Sequence, residues 1–311
     1  MFPVESLLGG DRSALARAIT LVESSRADHQ AEARFLIERV LPHTGQSLRV
    51  AITGVPGAGK STFIETLGIH LTEDLNETLA VLAIDPSSPM TGGSILGDKT
   101  RMPRLSVDPR AFIRPTASAG GLGGVHRKTR ETILLCEAAG FRNILVETVG
   151  VGQSEVSVAA MTDFFLLLLL PNAGDELQGL KRGIVEMADL IAVNKADTSA
   201  ADAELTRGQF ESALMYLPVH PGGLAPRVMT CSALTGLNVA SIWATVLDYS
   251  ERMKSNGSFE AKRRGQGASW LSDAVRNGVE VWLASSMERS EVEAGRMSPV
   301  EAAARVLSRL G

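Results

Sequence analysis

Cysteine, aromatic side chains and an excess of one charge are all scarce in this 311-residue chain. Its only two cysteines, Cys136 and Cys231, stand far apart in apolar surroundings. That spacing excludes a disulfide framework and a cysteine metal cluster, and it fits a reducing compartment. Lysine and arginine number 31 against 35 aspartates and glutamates, a net charge of -4, so no positive field is available to hold nucleic acid or an anionic membrane. The one basic run, Lys262-Arg263-Arg264, reads as a solvated helix start. The most apolar run, Phe164 to Leu170, falls far short of the roughly 20 residues needed to cross a bilayer and reads as a buried strand. Met1 to Gly10 lacks a basic stretch leading into an apolar one, so no secretory signal is expected and the expected location is cytoplasmic. The histidines His29, His43, His70, His126 and His220 show no ligand spacing, so no zinc or nickel site is expected.

What is present is the composition of an ordinary globular protein, 44% hydrophobic and 21% charged, long enough for roughly two domains or one large α/β domain with additions. From Asp11 to Leu41, Leu15, Ile19, Val22, Phe35, Leu36 and Val40 recur at helical spacing until Pro42 stops the pattern. Beyond Arg49 short apolar runs alternate with helical stretches, the pattern of βα units around a parallel sheet. Strands are expected at Leu48–Thr53, Leu79–Asp85, Ala111–Arg114, Asn143–Glu147, Phe164–Leu170, Leu190–Asn194 and Arg227–Cys231. After Lys262 the pattern is helical again, through Trp270, Leu271, Val275, Val279 and Val281 to a last helix opened by Ser298-Pro299. The expected fold is a doubly wound, mostly parallel α/β core over residues 46–256, with a helical extension at 1–45 and a helical arm at 257–311 suited to packing, dimerisation or partner contact.

Directly after the first expected strand stands Gly54-Val55-Pro56-Gly57-Ala58-Gly59-Lys60-Ser61-Thr62, a complete G-x-x-x-x-G-K-S leading into a helix. Its glycines let successive backbone N–H groups turn around phosphate oxygens, and the helix adds its positive end. Lys60 is placed to reach the β and γ phosphates and Ser61 to coordinate Mg²⁺. Asn194-Lys195-Ala196-Asp197, at the end of an apolar strand, is an N-K-x-D. The Asp197 carboxylate can accept from guanine N1–H and N2–H, whereas adenine has no donor at either place and would leave the charge unpaired. Ser232-Ala233-Leu234 has the place and composition of a loop closing on the base with a backbone N–H.

Where many GTPases carry D-x-x-G, this chain has Glu147-Thr148-Val149-Gly150. Glu147 suits a Mg²⁺ shell or a water, Gly150 offers its N–H to the γ-phosphate, and Gln153 is either a water-positioning glutamine or switch packing. Asp85, before Pro86, is either a metal-shell acid or a turn former, and Asp98 in Gly97-Asp98-Lys99 is a second candidate acid. Asp175 and Glu176, in the stretch from Pro171 to Arg182, read on chemistry alone as acids of a helix's first turn.

Together, Gly54 to Thr62, Asp85 to Pro89, Ser94 to Lys99, Glu147 to Glu155, Gly174 to Lys181 and Asn194 to Asp197 resemble the GTPases associated with methylmalonyl-CoA mutase, the MeaB/ArgK-like family also labelled LAO/AO transport ATPases. The resemblance implies a P-loop GTPase that converts GTP to GDP with Mg²⁺, a homodimer, and a chaperone for an adenosylcobalamin-dependent methylmalonyl-CoA mutase that gates cofactor loading. Carried onto this chain, it implies a metal shell of Ser61, Asp85, Asp98 and Glu147, and a catalytic set of Lys60, Asp98, Glu147 and Lys181. It also implies a partner-responsive switch of Asp175, Gln178 and Lys181. No arginine finger is assignable from the sequence, and Lys181, or a group brought by a switch rearrangement, is the candidate for the missing positive charge. A metal-delivery GTPase for another metalloenzyme and a P-loop kinase or transport ATPase are the competing readings.

Overall fold

A computed structural model of the protein describes residues 2–85, 101–117, 122–148, 154–172, 182–216, 225–284 and 286–310. Its centre is a seven-stranded sheet whose pairings are all parallel. The strands are β1 (Leu48–Gly54), β2 (Leu79–Asp85), β3 (Ala111–Ala117), β4 (Asn143–Thr148), β5 (Phe164–Leu169), β6 (Leu190–Val193) and β7 (Arg227–Thr230), in the order β3-β2-β4-β1-β5-β6-β7. β4, β5 and β6 are buried at every residue, as strands covered by helices on both faces must be, which is why they read as unbroken apolar runs. All seven expected strands are present, with ends within a residue except in β3, which runs three residues past Arg114 through Pro115. Proline interrupts that strand without harm because β3 is an edge strand with one side unpaired.

Before the sheet come α1 (Val4–Leu8), α2 (Arg12–Glu23) and α3 (Ala27–Val40). Asp11 caps α2 by accepting from the backbone N–H of Ser13 (2.7 Å) and Ala14 (3.1 Å). Leu15, Ile19 and Val22 are fully buried, and α2 packs on α5 (Leu122–Ala138). The helical stretch breaks at Ser24, whose hydroxyl bonds the N–H of Arg26 (3.3 Å) and the His29 ring (2.9 Å) while its carbonyl accepts from Gln30 (2.7 Å), giving the backbone a local alternative to the helix. Phe35, expected in the apolar stripe, is instead 45% exposed. After β1 follow α4 (Lys60–Ile69) and, beyond α5, the helices α6 (Ser154–Ala159), α7 (Arg182–Met187), α8 (Ala200–Leu214), α9 (Val239–Ser255) and α10 (Ser258–Ala284). Phe63, Ile64 and Leu67 of α4 and Ile242, Trp243 and Val246 of α9 share one core with Val50, Ile52, Phe164, Leu166 and Leu168 of the sheet.

The Lys262-Arg263-Arg264 run, in the second turn of α10, corrects an expectation in part: Arg264 is exposed, but Lys262 and Arg263 are half-buried. Arg263 donates to both carboxylate oxygens of Asp163 (2.8 and 2.7 Å) and to the Gly45 carbonyl (2.6 Å), and Lys262 donates to the Asp163 carbonyl (2.7 Å). Asp163 also accepts the Arg49 N–H (2.8 Å), and the Arg49 guanidinium forms a buried bidentate pair with Glu137 (2.9 Å for each bond). This cluster lies at the amino-terminal edge of the sheet, where β1 and β5 begin.

The chain divides into two compact units, Met1–Arg263 and Arg264–Gly311. In the second, α11 (Met287–Glu293) packs with α12 (Pro299–Leu310), and Ser298 caps α12 by accepting the Glu301 N–H (3.2 Å), as the Ser-Pro opening predicts. Among the described residues, no helix is long and apolar enough to cross a membrane.

At the entry to β3, burial alone would raise the Asp108 carboxyl. The Arg110 guanidinium (3.1 Å from each oxygen) and N–H (2.8 Å) outweigh it and hold the group at about 2 against an ordinary 3.8. A depressed carboxylate stabilises the fold fully above its unfolded value and loses that contribution as pH falls through the folded one. Asp108→Asn is therefore expected to lower the thermal midpoint near neutral pH, with the gap to wild type closing between about pH 4 and pH 2; a pH-independent gap in calorimetry would rule out the charge as its source.

Candidate functional site

Central strand β1 delivers the chain to the carboxyl edge of the sheet, where open α/β folds bind ligands. The turn out of β1 leaves no room for side chains: a Cβ on Gly54 would stand 2.3 Å from the Leu168 carbonyl oxygen of β5. Gly59, at φ +86°, caps α4, and a Cβ there would meet the Asn194 amide nitrogen at 2.7 Å. Ala58 is fully buried between them and donates its N–H to Val55 O (3.1 Å). The loop Gly54 to Thr62 thus wraps around the positive end of the α4 helix.

Lys60 folds back over the loop, its ammonium donating to Gly54 O (2.8 Å) and Val55 O (3.3 Å). Burial holds this ammonium below the usual lysine range; Glu147 and Glu155 oppose the effect and the Arg101 cation adds to it. Ser61 donates its hydroxyl hydrogen to Glu147 Oε1 (3.1 Å). Glu147, only 4% exposed, reaches Ser61 because parallel pairing sets it beside Ile52 of β1, and the ends of the two strands are tied by Thr148 Oγ1 donating to Thr53 Oγ1 (2.8 Å). Thr62 is exposed.

Asn194, expected as the last residue of β6, follows it directly and is buried. Its amide donates to Ala58 O (2.8 Å) while its carbonyl oxygen accepts the Ala233 N–H (2.8 Å), so one side chain joins the loop after β1 to the loop after β7. Thr66 of α4 adds a second tie by donating to Ala233 O (2.6 Å). Lys195 adopts φ +64°, and the Ala196 N–H bonds Cys231 O (3.0 Å), turning the chain so that Asp197 is exposed. Ser232 is buried and accepts the Thr235 N–H (3.1 Å), whereas Leu234 is 78% exposed.

A cavity of about 730 Å³ opens here, walled by Pro56, Gly57, Gly59 to Thr62, Glu147, Lys195 and Arg101. Asp197, Ser232, Ala233 and Leu234 are not on its wall. Arg101 belongs to no motif of the sequence; its signal there is a cation three positions after Asp98. Asp98, Gly150, Gln153, Asp175, Gln178 and Lys181 lie outside the described residues, as does the side chain of Asp85, whose backbone ends β2. Among the described residues no group of three or more histidine, cysteine, aspartate or glutamate side chains could hold a metal ion. The Ser61 hydroxyl and Glu147 carboxylate nonetheless form an all-oxygen pair suited to Mg²⁺, which takes one or two protein ligands and completes its shell with water and substrate phosphates.

A family model described as methylmalonyl Co-A mutase-associated GTPase MeaB matches residues 15–288. The GTPase ArgK of Escherichia coli is 46% identical over 269 residues, 86% of this chain and 81% of that one. The mouse mitochondrial protein named methylmalonic aciduria type A homolog is 46% identical over 284 residues, 88% of this chain and 68% of its own length. Among solved structures, that of a LAO/AO transport system kinase superposes with a TM-score of 0.78 at 35% identity, covering 99% of this chain and 96% of its own. With a G-x-x-x-x-G-K-S loop on the central strand of a parallel sheet and the family's pattern along most of its length, the chain belongs to the methylmalonyl-CoA mutase-associated GTPases, a family of P-loop GTPases.

Proposed function

We propose that this GTPase is Mg²⁺-dependent, works in the cytoplasm as a homodimer, and serves an adenosylcobalamin-dependent mutase, methylmalonyl-CoA mutase, by gating cofactor loading and protecting the enzyme. The observation that supports the nucleotide half is the Asn194 side chain, which ties the phosphate loop at Ala58 to the loop at Ala233, the segment expected to close on the base. The partner half rests on the family's name and on that of the mouse relative.

In this reading Lys60 leaves the Gly54 and Val55 carbonyls for the β and γ phosphates, and the amides of Gly57 to Thr62 take up the remaining phosphate oxygens. Ser61 and Glu147 would hold Mg²⁺, with Asp85 and Asp98 completing its surroundings, and the ion would supply positive charge against the phosphates. Gly150 donates to the γ-phosphate. Asp197 and Asn194 read guanine, flanked by Lys195 and closed by Ser232 to Leu234. Asp175, Gln178 and Lys181 pass the state of the mutase to the nucleotide.

GTP turnover measured with and without the mutase from the same source tests the proposal. Turnover is expected to be slow alone and clearly stimulated by the mutase, and Asp197→Ala should lose GTP binding in both conditions. Turnover indifferent to the mutase would remove this partner, and equal competition by ATP would remove the guanine assignment.

A further inference from the structure

We propose that Arg101 is an arginine finger supplied from within the chain, a catalytic residue whose guanidinium neutralises the charge developing on the phosphates as GTP is cleaved. The inference rests on the phosphate loop being the GTP site. Three cations of the described residues wall the cavity: Lys60, Lys195 and Arg101. Lys60 is folded onto the loop it belongs to, and Lys195 sits inside the Asn194 to Asp197 motif, on the base side. Arg101 comes from a different segment, is exposed, and makes no side-chain hydrogen bond or ion pair among the described residues.

The segment that carries Arg101 is fixed to the phosphate loop's own helix. Met102 and Leu105 are fully buried in the core, and Leu105 packs so tightly on α4 that a Cβ on Gly68 would stand 2.6 Å from it. The Glu65 carboxylate of α4 accepts the backbone N–H of Arg104 (2.8 Å) and of Leu105 (3.3 Å), and the Arg104 side chain pairs with Glu73 (2.9 Å). Arg101 therefore stands three residues before a backbone segment held by Glu65 of α4, the helix that Lys60 and Ser61 begin. A cation that lines the cavity from a segment other than the phosphate loop, on a fixed mount, is suited to meet charge that develops in the transition state. Its planar fork of donors matches phosphate oxygens and stays charged at every working pH. The Arg101 and Lys60 cations line one cavity, an arrangement suited to an anion between them.

In the step Arg101 serves, a water oxygen forms a bond to the γ-phosphorus as the bond from that phosphorus to the β–γ bridging oxygen breaks. The electron pair of the broken bond leaves with GDP, and the proton lost by the water is taken up by the released phosphate. Arg101 is unchanged by the step.

Single-turnover hydrolysis of γ-labelled GTP by the full chain, with and without the stimulating mutase, tests the assignment in Arg101→Ala and Arg101→Lys. Hydrolysis by Arg101→Ala is expected to fall about 10³-fold, the low end for an arginine finger. GDP affinity should move by less than about threefold, and added guanidinium ion should restore part of the rate to this variant but none to Lys60→Ala. Arg101→Lys, a point charge without the fork, should recover only a small part. A wild-type rate in Arg101→Ala under both conditions would overturn the assignment, as would parallel loss of GDP binding and hydrolysis, or absence of guanidinium rescue. If instead the wild-type chain binds no GTP, or Asp197→Ala binds it normally, the nucleotide-site reading itself fails and takes Arg101 with it.

Discussion

Asn194→Ala is expected to cost roughly 2–6 kcal/mol of stability, the sum for two buried backbone groups that each lose their partner at about 1–3 kcal/mol. The Ala58 carbonyl loses its donor and the Ala233 N–H its acceptor, and neither site is open enough for water to substitute freely, since Asn194 is 1% exposed and Ala58 and Ala233 are buried. On the proposed reading GDP binding should fall with it, because the phosphate loop and the loop after β7 no longer share a strut. Asn194→Asp separates the two bonds: its carboxylate still accepts from Ala233 but repels the Ala58 carbonyl. Urea titration with and without GDP checks both. A variant with wild-type stability would mean that the bridging bonds contribute nothing net, and one with wild-type GDP affinity would show that the two loops are positioned independently.

The second large effect is expected at the opposite edge of the sheet. Glu137→Ala removes the carboxylate that pairs with the buried Arg49 guanidinium, and breaking such a pair costs about 3–5 kcal/mol. The Gly45 N–H, which also donates to Glu137 (2.9 Å), is orphaned at the same time. Because desolvation offsets most of the attraction in a buried pair, replacing both Arg49 and Glu137 by methionine should recover much of that loss. Chemical denaturation of the two variants distinguishes the cases: if the double variant is no more stable than Glu137→Ala, the pair itself, and not the imbalance left by removing one partner, holds this edge together. Nucleotide affinity should change little in either.

The contrast between these two clusters explains what the sequence revealed. β4, β5 and β6 were readable because a strand buried on both faces must be apolar throughout. The Gly54 to Thr62 loop, Glu147 and the Asn194 to Asp197 motif stand out in the sequence because each lies at or just beyond a strand's carboxyl end, and parallel topology gathers those ends on one edge. Local pattern gave no access to partners distant in the chain. Arg263 looked like a surface charge because Asp163, which buries it, lies 100 residues away. Arg101 passed unnoticed because Glu65, which anchors its segment, lies about 40 residues back on another element. The edge position that admits Pro115 into β3 is likewise set by strand neighbours that periodicity does not register, whereas the break at Ser24 comes from local side-chain bonds.

The Asn194 strut also imposes an order on synthesis. Its two bonds reach 136 residues back to Ala58 and 39 forward to Ala233, so the phosphate loop, though made early, has no braced partner until β7 has left the ribosome and docked. Contacts of such separation form late because the closure entropy of the intervening chain must be met first. On the proposed reading of this loop, a nascent chain stopped before Ala233 should remain empty of nucleotide, and nucleotide that binds only the finished frame would favour the docked last strand by mass action.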